Sequence, residues 1–352
     1  MNLEMPGSVA HSMFARVLLV AALMHPECGA QDSSPSRPTT VISCPMPPPP
    51  TVQWLFDRTA DVVHRTPAQL ESAQLESGVV REVALTLLAL LADGSTMRAG
   101  PYRQQVKELV QVLRYQELES GRFLPDLKGP LEIETQLWAT LAVQQAAHLS
   151  SYRLLEQVSR RALEANLAIV PQPKDAGLEI TIPLALSYEV AERAGLSNRE
   201  PSRTWLLDWQ ATHRVAAKTA LLPELAAHLL VAAVLARSER AQQDVAARYA
   251  KDCQREFSAR LARGAKEVDE LTLLCLGWCY MANDLLQKAG FEAEQLELAL
   301  RAPAERAEKA GPDRGSVTPL GGWSTDVGRT GTTAMAQVLA TMGYRYCRLA
   351  GD

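Results

Sequence analysis

Residues 83–123, VALTLLALLADGSTMRAGPYRQQVKELVQVLRYQELESGRF, contain the pattern that decides the fold. The stretch opens inside a segment (81–94) that is apolar on nearly every side, which is typical of a buried helix. Residues 102–116 follow with one apolar stripe and one polar face, which predicts a helix that covers the first. Gly121 can then adopt the left-handed conformation that ends a helix, and Phe123 can fold back onto the apolar face. The stretch predicts one helical hairpin.

The same alternation continues along the chain, and strand-like alternation is nearly absent. Helices that are hydrophobic on all sides are usually buried inside a fold, and amphipathic helices cover them. Six helices of each kind predict an all-α protein, an α6/α6 toroid in which six parallel inner helices are ringed by outer helices. The predicted inner helices are 81–94, 133–149, 179–195, 223–238, 268–286 and 332–347, and the outer ones are 52–65, 102–116, 152–169, 202–214, 243–261 and 292–310.

Short motifs recur at the ends of the predicted outer helices. VLRYQ ends at Gln116 and LLDWQ ends at Gln210, which is 94 residues later, or two units of 47. Between them, RALEAN ends at Asn166 as a degraded copy. The glycine-x-aromatic piece at Gly121 also recurs, as Gly-Gly-Trp ending at Trp323. Self-similarity at a fixed spacing indicates a repeat architecture.

The N-terminus has the pattern of an export signal. Residues 17–24, VLLVAALM, form an apolar run that is too short to anchor a chain in a bilayer. Cys28 and Ala30 then offer the small residues required for cleavage after Ala30. We therefore expect residues 1–30 to be a signal peptide and the protein to be exported, to the periplasm, the cell envelope or the extracellular space.

Two further segments follow the predicted signal peptide. Residues 31–50 are rich in Ser, Thr and Pro, which predicts an extended linker, and residues 51–352 are predicted to form the toroid domain. We expect no transmembrane span in the mature chain. A start at Met13 would make a more ordinary signal peptide than a start at Met1, so the true start codon stays open.

Composition and motifs argue against several classes of function. The net charge is −4 and no dense basic patch is interleaved with aromatic residues, so we expect no nucleic-acid partner. The sequence contains no HExxH, GxSxG, phosphate-binding loop or dinucleotide glycine pattern. Its histidines show no metal-like spacing, and Cys275 and Cys279, one helical turn apart, are predicted to be small buried side chains. We therefore expect no cofactor and no metal; the disulfide pairing stays open.

Residues 79–348 resemble the squalene cyclase and protein prenyltransferase superfamily, and in particular its bacterial exported prenyltransferase-like members. Gln116, Gly121 and Phe123 resemble the QW motif of the cyclases. The resemblance implies an α/α toroid in which this glutamine and aromatic residue tie an outer helix to the next inner helix. The acidic Asp-x-Asp-Asp motif of the cyclases, the zinc triplet of the prenyltransferases and the Cys-Gly-Glu-Gln run of the thioester proteins are not found. The chemistries of the superfamily therefore do not transfer.

Carboxylates recur at the starts of the predicted inner helices. If these helices are parallel, the carboxylates surround one opening, which we call the mouth. Acids also favour helix N-termini for purely structural reasons, so that interpretation stays open. Trp323 lies close by, in the longest loop before an inner helix, residues 311–326. The candidate binding residues are Glu134, Glu179, Glu224, Asp269, Asp326 and Trp323; no catalytic residue is assigned.

Three functions are compatible with this pattern. The first is an exported, non-catalytic toroid that binds an apolar small molecule or a protein partner. The second is a terpenoid or isoprenoid cyclase or transferase with a divergent acid. The third is an (α/α)-barrel glycan-active enzyme that uses carboxylates at the mouth. The low aromatic content, 5%, favours the first, and the shape of the central cavity distinguishes all three. The oligomeric state stays open.

Overall fold

The computed structural model describes residues 49–127, 129–196, 199–213, 221–262, 268–283 and 285–342. The predicted signal peptide and linker residues 31–48 lie outside the described residues, as do Cys28, Cys44 and Cys347. The predicted boundary between linker and domain differs slightly from the structure, because the first helix already begins at Pro49.

The prediction of an all-α protein is confirmed for these residues, which form helices and no strand. A single turn of 3₁₀-helix spans Pro173–Asp175. None of the helices is long and apolar enough to cross a bilayer within the described part of the chain. The α-helices are α1 (Pro49–Val63), α2 (Pro67–Ser72), α3 (Ser77–Ala92), α4 (Arg103–Gln116), α5 (Pro130–Ser150), α6 (Arg153–Ile169), α7 (Leu178–Arg193), α8 (Glu200–Thr212), α9 (Leu222–Leu235), α10 (Arg240–Ala262), α11 (Glu270–Asn283), α12 (Leu285–Lys288), α13 (Ala293–Glu305) and α14 (Trp323–Thr341).

The six predicted inner helices correspond to α3, α5, α7, α9, α11 and α14. Their buried residues occur on all sides, as the continuous apolar runs predict. The largest difference is in α14, which begins at Trp323, although the sequence predicts a start at residue 332. Gly328 explains this difference, because its φ of 68° kinks the helix and separates its first turn from the apolar run.

Each inner helix packs against the inner helix that follows it in the chain, and α14 packs back against α3. The order of contacts therefore closes on itself. The longer amphipathic helices lie against them, with α4 on α3, α6 on α5, α8 on α7, α10 on α9 and α13 on α14. The first helix, α1, contacts both α14 and α3. One large hydrophobic core extends through these helices, because each buries its apolar side chains against the next.

Gln116, at the C-terminal end of α4, points in a direction that the QW resemblance does not predict. Its Oε1 accepts a hydrogen bond from the backbone N–H of Leu75 at 2.9 Å. Its Nε2 donates to the carbonyls of Leu70 and Ala73, both at 3.1 Å. The glutamine therefore ties α4 back to the segment before α3, not forward to α5. The reason is that α4 returns along α3, so its end lies beside the start of α3.

The forward connection to α5 is made by Gln136 instead. Its Oε1 accepts the backbone N–H of Phe123 at 2.8 Å, and its Nε2 donates to the carbonyl of Gly121 at 3.3 Å. Gly121 has a φ of 79°, and a Cβ there would lie 2.3 Å from the carbonyl oxygen of Arg161. Only glycine fits this turn, which lets Phe123 enter the core.

Candidate functional site

Glu134 occupies the centre of the candidate site. It lies in the second turn of α5 and is only 4% exposed. Its Oε1 accepts the indole N–H of Trp138 at 3.0 Å and that of Trp323 at 2.5 Å. The centroids of the two indole rings are 5.9 Å apart. Since Trp323 is the first residue of α14, Glu134 joins the starts of α5 and α14.

Arg81 of α3 completes this group. Its Nη1 lies 3.9 Å from Oε2 of Glu134, and its Nη2 donates to the backbone carbonyl of Asp326 at 2.8 Å. Burial lowers the pKa of Arg81, while the negative charges of Glu134, Asp326 and Glu82 act in the opposite direction. The beginnings of α3, α5 and α14 therefore meet around one buried ion pair.

Burial raises the pKa of the Glu134 carboxyl above its ordinary value. The two indole donors and Arg81 act to lower that pKa, and the charge of Glu179 acts to raise it. Glu179 lies in the first turn of α7, so a charge from a fourth inner helix also acts on this group. A carboxyl group with these surroundings keeps its proton at a pH at which an exposed glutamate has lost it.

Two of the other predicted mouth acids, Glu224 and Asp269, cap their own helices. Glu224 accepts the backbone N–H of Leu221 at 3.2 Å, which caps α9. Asp269 accepts the backbone N–H of Thr272 at 2.9 Å and its hydroxyl at 2.5 Å, which caps α11. The half-buried side chain of Glu179 folds back over Gly177, so that a Cβ on this glycine would lie 2.3 Å from a carboxylate oxygen.

The six candidate residues thus differ in what they contact. It joins Glu134 to Trp323 by a direct hydrogen bond, and it uses the backbone of Asp326, whose side chain is exposed. Arg81 was not predicted, although an arginine beside the apolar run of α3 is a usable signal, because a buried cation requires a partner. The spacing of Trp138 could also have been used to predict its contact with Glu134, because Trp138 follows Glu134 by four residues and so lies on the same face of α5.

Among the described residues, side chains of the inner helices fill the space between them around one small cavity. A cavity there has a volume of about 10 Å³, which is at the limit for a single water molecule. Its lining comes from five of the six inner helices and is almost entirely aliphatic. The lining residues are Leu85, Leu88, Trp138, Leu141, Leu186, Leu274, Ala334, Met335 and Val338.

Exposed leucines lie at the starts of three inner helices. Leu131, in the first turn of α5, is 40% exposed; Leu221, directly before α9, is 60% exposed; and Leu320, just before α14, is 50% exposed. The starts of the inner helices therefore carry both apolar surface and carboxylates.

His228 lies within the predicted inner helix 223–238. It is buried on α9, where its ring lies between Trp209 of α8 and Tyr249 of α10, at centroid distances of 4.6 and 5.1 Å. It therefore faces the outer helices. Burial lowers the pKa of His228 to about 4.

The described cysteines are buried in the core. Cys253, Cys275 and Cys279 are free, and burial raises the pKa of each thiol well above its ordinary value. A reactive cysteine needs the opposite shift. In the described parts of the chain, no group of three His, Cys, Asp or Glu side chains is arranged to hold a metal ion.

Comparisons with protein-family models, with curated proteins and with solved structures gave no match. The contacts of the described residues are therefore the observations that bear on function.

Proposed function

We propose that this chain is an exported, non-catalytic α6/α6 toroid that binds a partner protein at the mouth. The closed order of contacts among the inner helices supports the toroid. So does the group around Glu134, because it brings together the starts of α3, α5 and α14, with the charge of Glu179 from α7 beside them. This arrangement is the one that the resemblance to the squalene cyclase and prenyltransferase superfamily implies. The apolar run at residues 17–24 supports export.

The combination of a packed centre and an apolar mouth carries the proposal. Pockets that enclose small molecules usually have volumes of about 300–1,000 Å³, whereas the cavity among the inner helices has about 10 Å³. Apolar contact is thus offered on the outside, by Leu131, Leu221 and Leu320. Burial of a leucine side chain contributes roughly 1.5–3 kcal/mol. The carboxylates among them favour a partner that surrounds its own apolar contact with basic residues.

Substitution of the mouth leucines tests this proposal. A Leu221→Ser, Leu320→Ser double variant removes apolar surface at the mouth, and Leu298→Ser is the matched control, because Leu298 is 59% exposed on the outer helix α13. The full chain would be cross-linked in an extract of its own cells, and a captured protein would be purified for measurement of its Kd. We expect binding at least about ten-fold weaker for the double variant, which corresponds to about 1.4 kcal/mol, and a parental Kd for the control. Equal affinity of all three chains would contradict the proposal.

The isoprenoid alternative requires substrate between the inner helices. Among the described residues, the cavity around Leu88, Trp138 and Met335 has a volume of only about 10 Å³, which argues against a substrate of that length. Saturable binding of a fluorescent farnesyl lipid at one molecule per chain would revive this alternative.

One observation favours the glycan-active alternative. Glu134, with its raised pKa, lies close enough to Glu179 to be affected by its charge, and paired carboxyls with different environments are the usual acid–base arrangement. Trp323 covers Glu134, however, so a substrate would have to displace its indole. Release of reducing sugar from a polysaccharide panel, lost in Glu179→Gln and retained in the capping variant Glu224→Gln, would establish this function in place of the first.

A further inference from the structure

A cleft lies at the C-terminal end of α5, away from Glu134 and the mouth. Its volume is about 600 Å³, within the range of small-molecule sites. The walls are one face of α4, the turn between α3 and α4, and the junction of α5 with α6. Ser150, which lines it, follows Glu134 by 16 residues on one helix, or about 24 Å at 1.5 Å per residue. The cleft and the mouth are therefore separate places on the molecule.

Three cations line this cleft. They are Arg98 of the turn and Lys107 and Arg114 of α4. None of the three forms an ion pair with a carboxylate of the described residues, although the chain as a whole carries a net charge of −4. Like charges that face one space repel one another, so an anion in the cleft would relieve this repulsion.

The turn that carries Arg98 is held in place by its own contacts. The hydroxyl of Thr96 accepts the backbone N–H groups of Arg98 and Ala99 at 3.1 and 3.0 Å. The guanidinium of Arg98 donates to the carbonyl of Ser151 at 3.3 Å, which ties the turn to the α5–α6 junction. Gly100, with a φ of 99°, has no room for a Cβ beside Ser95. Such a wall needs little ordering when a ligand binds, which favours affinity.

The rest of the lining is aromatic and apolar. Tyr115 and Tyr152 border the cleft, and the hydroxyl of Tyr115 accepts a hydrogen bond from Gln111 at 3.3 Å. Met97 and the buried Val110 add aliphatic surface. A ligand that fits such a lining combines a concentrated negative charge with a flat or apolar body.

We propose that this cleft binds a phosphate monoester that carries an aromatic or apolar group. Arg98, Lys107 and Arg114 surround the phosphate, whose charge approaches −2 near neutral pH and whose oxygens match the fork of an arginine. Tyr115 and Tyr152 pack against the organic part. This site does not depend on the partner proposed for the mouth.

A pair of matched lysine variants tests the site. Lys107→Gln removes a charge from the cleft, whereas Lys251→Gln removes the same charge from an exposed position on α10. Titration calorimetry of the full chain with phenyl phosphate would measure Kd, with benzyl alcohol as the uncharged probe. We expect about ten-fold weaker binding of phenyl phosphate for Lys107→Gln, a parental Kd for Lys251→Gln, and no saturable binding of benzyl alcohol.

A vesicle sedimentation experiment distinguishes a phosphate of a lipid headgroup from that of a soluble ester. The chain would be spun with phosphatidylcholine vesicles that contain or lack phosphatidic acid. Co-sedimentation that requires phosphatidic acid and is lost in Lys107→Gln assigns a lipid headgroup; binding of phenyl phosphate without co-sedimentation assigns a soluble ester. If neither probe binds in a manner that depends on Lys107, the proposal is overturned. Thermal unfolding of both variants would confirm that they are folded.

Discussion

Replacement of Glu134 by glutamine tests the electrostatics of the mouth. The amide keeps the shape of the side chain and an oxygen that can accept from Trp138 and Trp323, but it cannot ionise. Burial raises the pKa of Glu134 in the folded chain above its value in the unfolded chain. The folded state therefore binds this proton more tightly. As the pH rises from the ordinary carboxyl value to the raised folded value, Glu134 lowers the free energy of unfolding of the parent, and above that window its effect is constant.

The size of the effect follows from two opposing contributions. Taking a carboxylate out of water costs several kcal/mol. The attraction of Arg81 across 3.9 Å is worth about 4 kcal/mol at an effective dielectric constant of about 20, and the indole donors add to it. If the cost of burial exceeds these attractions, the parent loses about 1.4 kcal/mol for each unit by which folding raises the pKa of Glu134. Glu134→Gln avoids this loss.

The assay is urea unfolding followed by circular dichroism, repeated from about pH 4 to about pH 8 around the ordinary carboxyl pKa. We expect the free energy of unfolding of Glu134→Gln to rise relative to the parent as the pH passes from the ordinary carboxyl pKa to the raised pKa of the folded chain, and the difference to stay constant above that window. Glu132→Gln is the matched control, because it removes a carboxylate from the first turn of the same helix without affecting the indole donors. A relative stability that falls with pH would refute the reasoning, since it would show that Arg81 and the indoles outweigh burial.

Three further outcomes are expected from the structure. Because the pKa of His228 is lowered to about 4, the unfolded chain takes up its proton first, so the parent should lose up to about 3 kcal/mol between about pH 6.5 and about pH 4. Over the same pH range, His228→Phe should lose less stability than the parent in urea unfolding. If acid destabilised both proteins equally, His228 would not be the cause of the loss. Gln116→Ala removes three hydrogen bonds to the segment before α3 and should lower stability by roughly 2–3 kcal/mol. Gln104→Ala, exposed on the same helix, should change stability by less than about 0.5 kcal/mol. Equal effects of the two substitutions in thermal unfolding would show that the hydrogen bonds of Gln116 do not stabilise the fold. Glu224→Gln should cost about 0.3–1 kcal/mol of stability and leave binding of the mouth partner unchanged, and a loss of that binding would assign Glu224 to the site.

The glycine-aromatic piece that ends at Trp323 shows where a local sequence pattern succeeds and where it fails. Its recurrence singles out Trp323 as a candidate, and the indole does bond to Glu134. The predicted start of α14 is nevertheless nine residues too late, because the kink at Gly328 interrupts the apolar period. The predicted direction of Gln116 is wrong for a related reason. A hydrogen-bonding partner 41 to 46 residues away is chosen by how helices pack, which the local pattern does not contain.

The sequence by itself determined that the described chain is helical and which helices are buried, because hydrophobic periodicity is a local property and each helix shows its buried face in its own residues. It also placed an acid at the start of several inner helices. Only the tertiary structure decided which acid differs from the others. Glu134 and Glu224 look alike in sequence, since both stand near the start of an apolar helix, yet one is buried against an indole 189 residues away and the other caps its own helix. Burial and a distant partner set the pKa of a carboxyl, and both arise only when the helices pack.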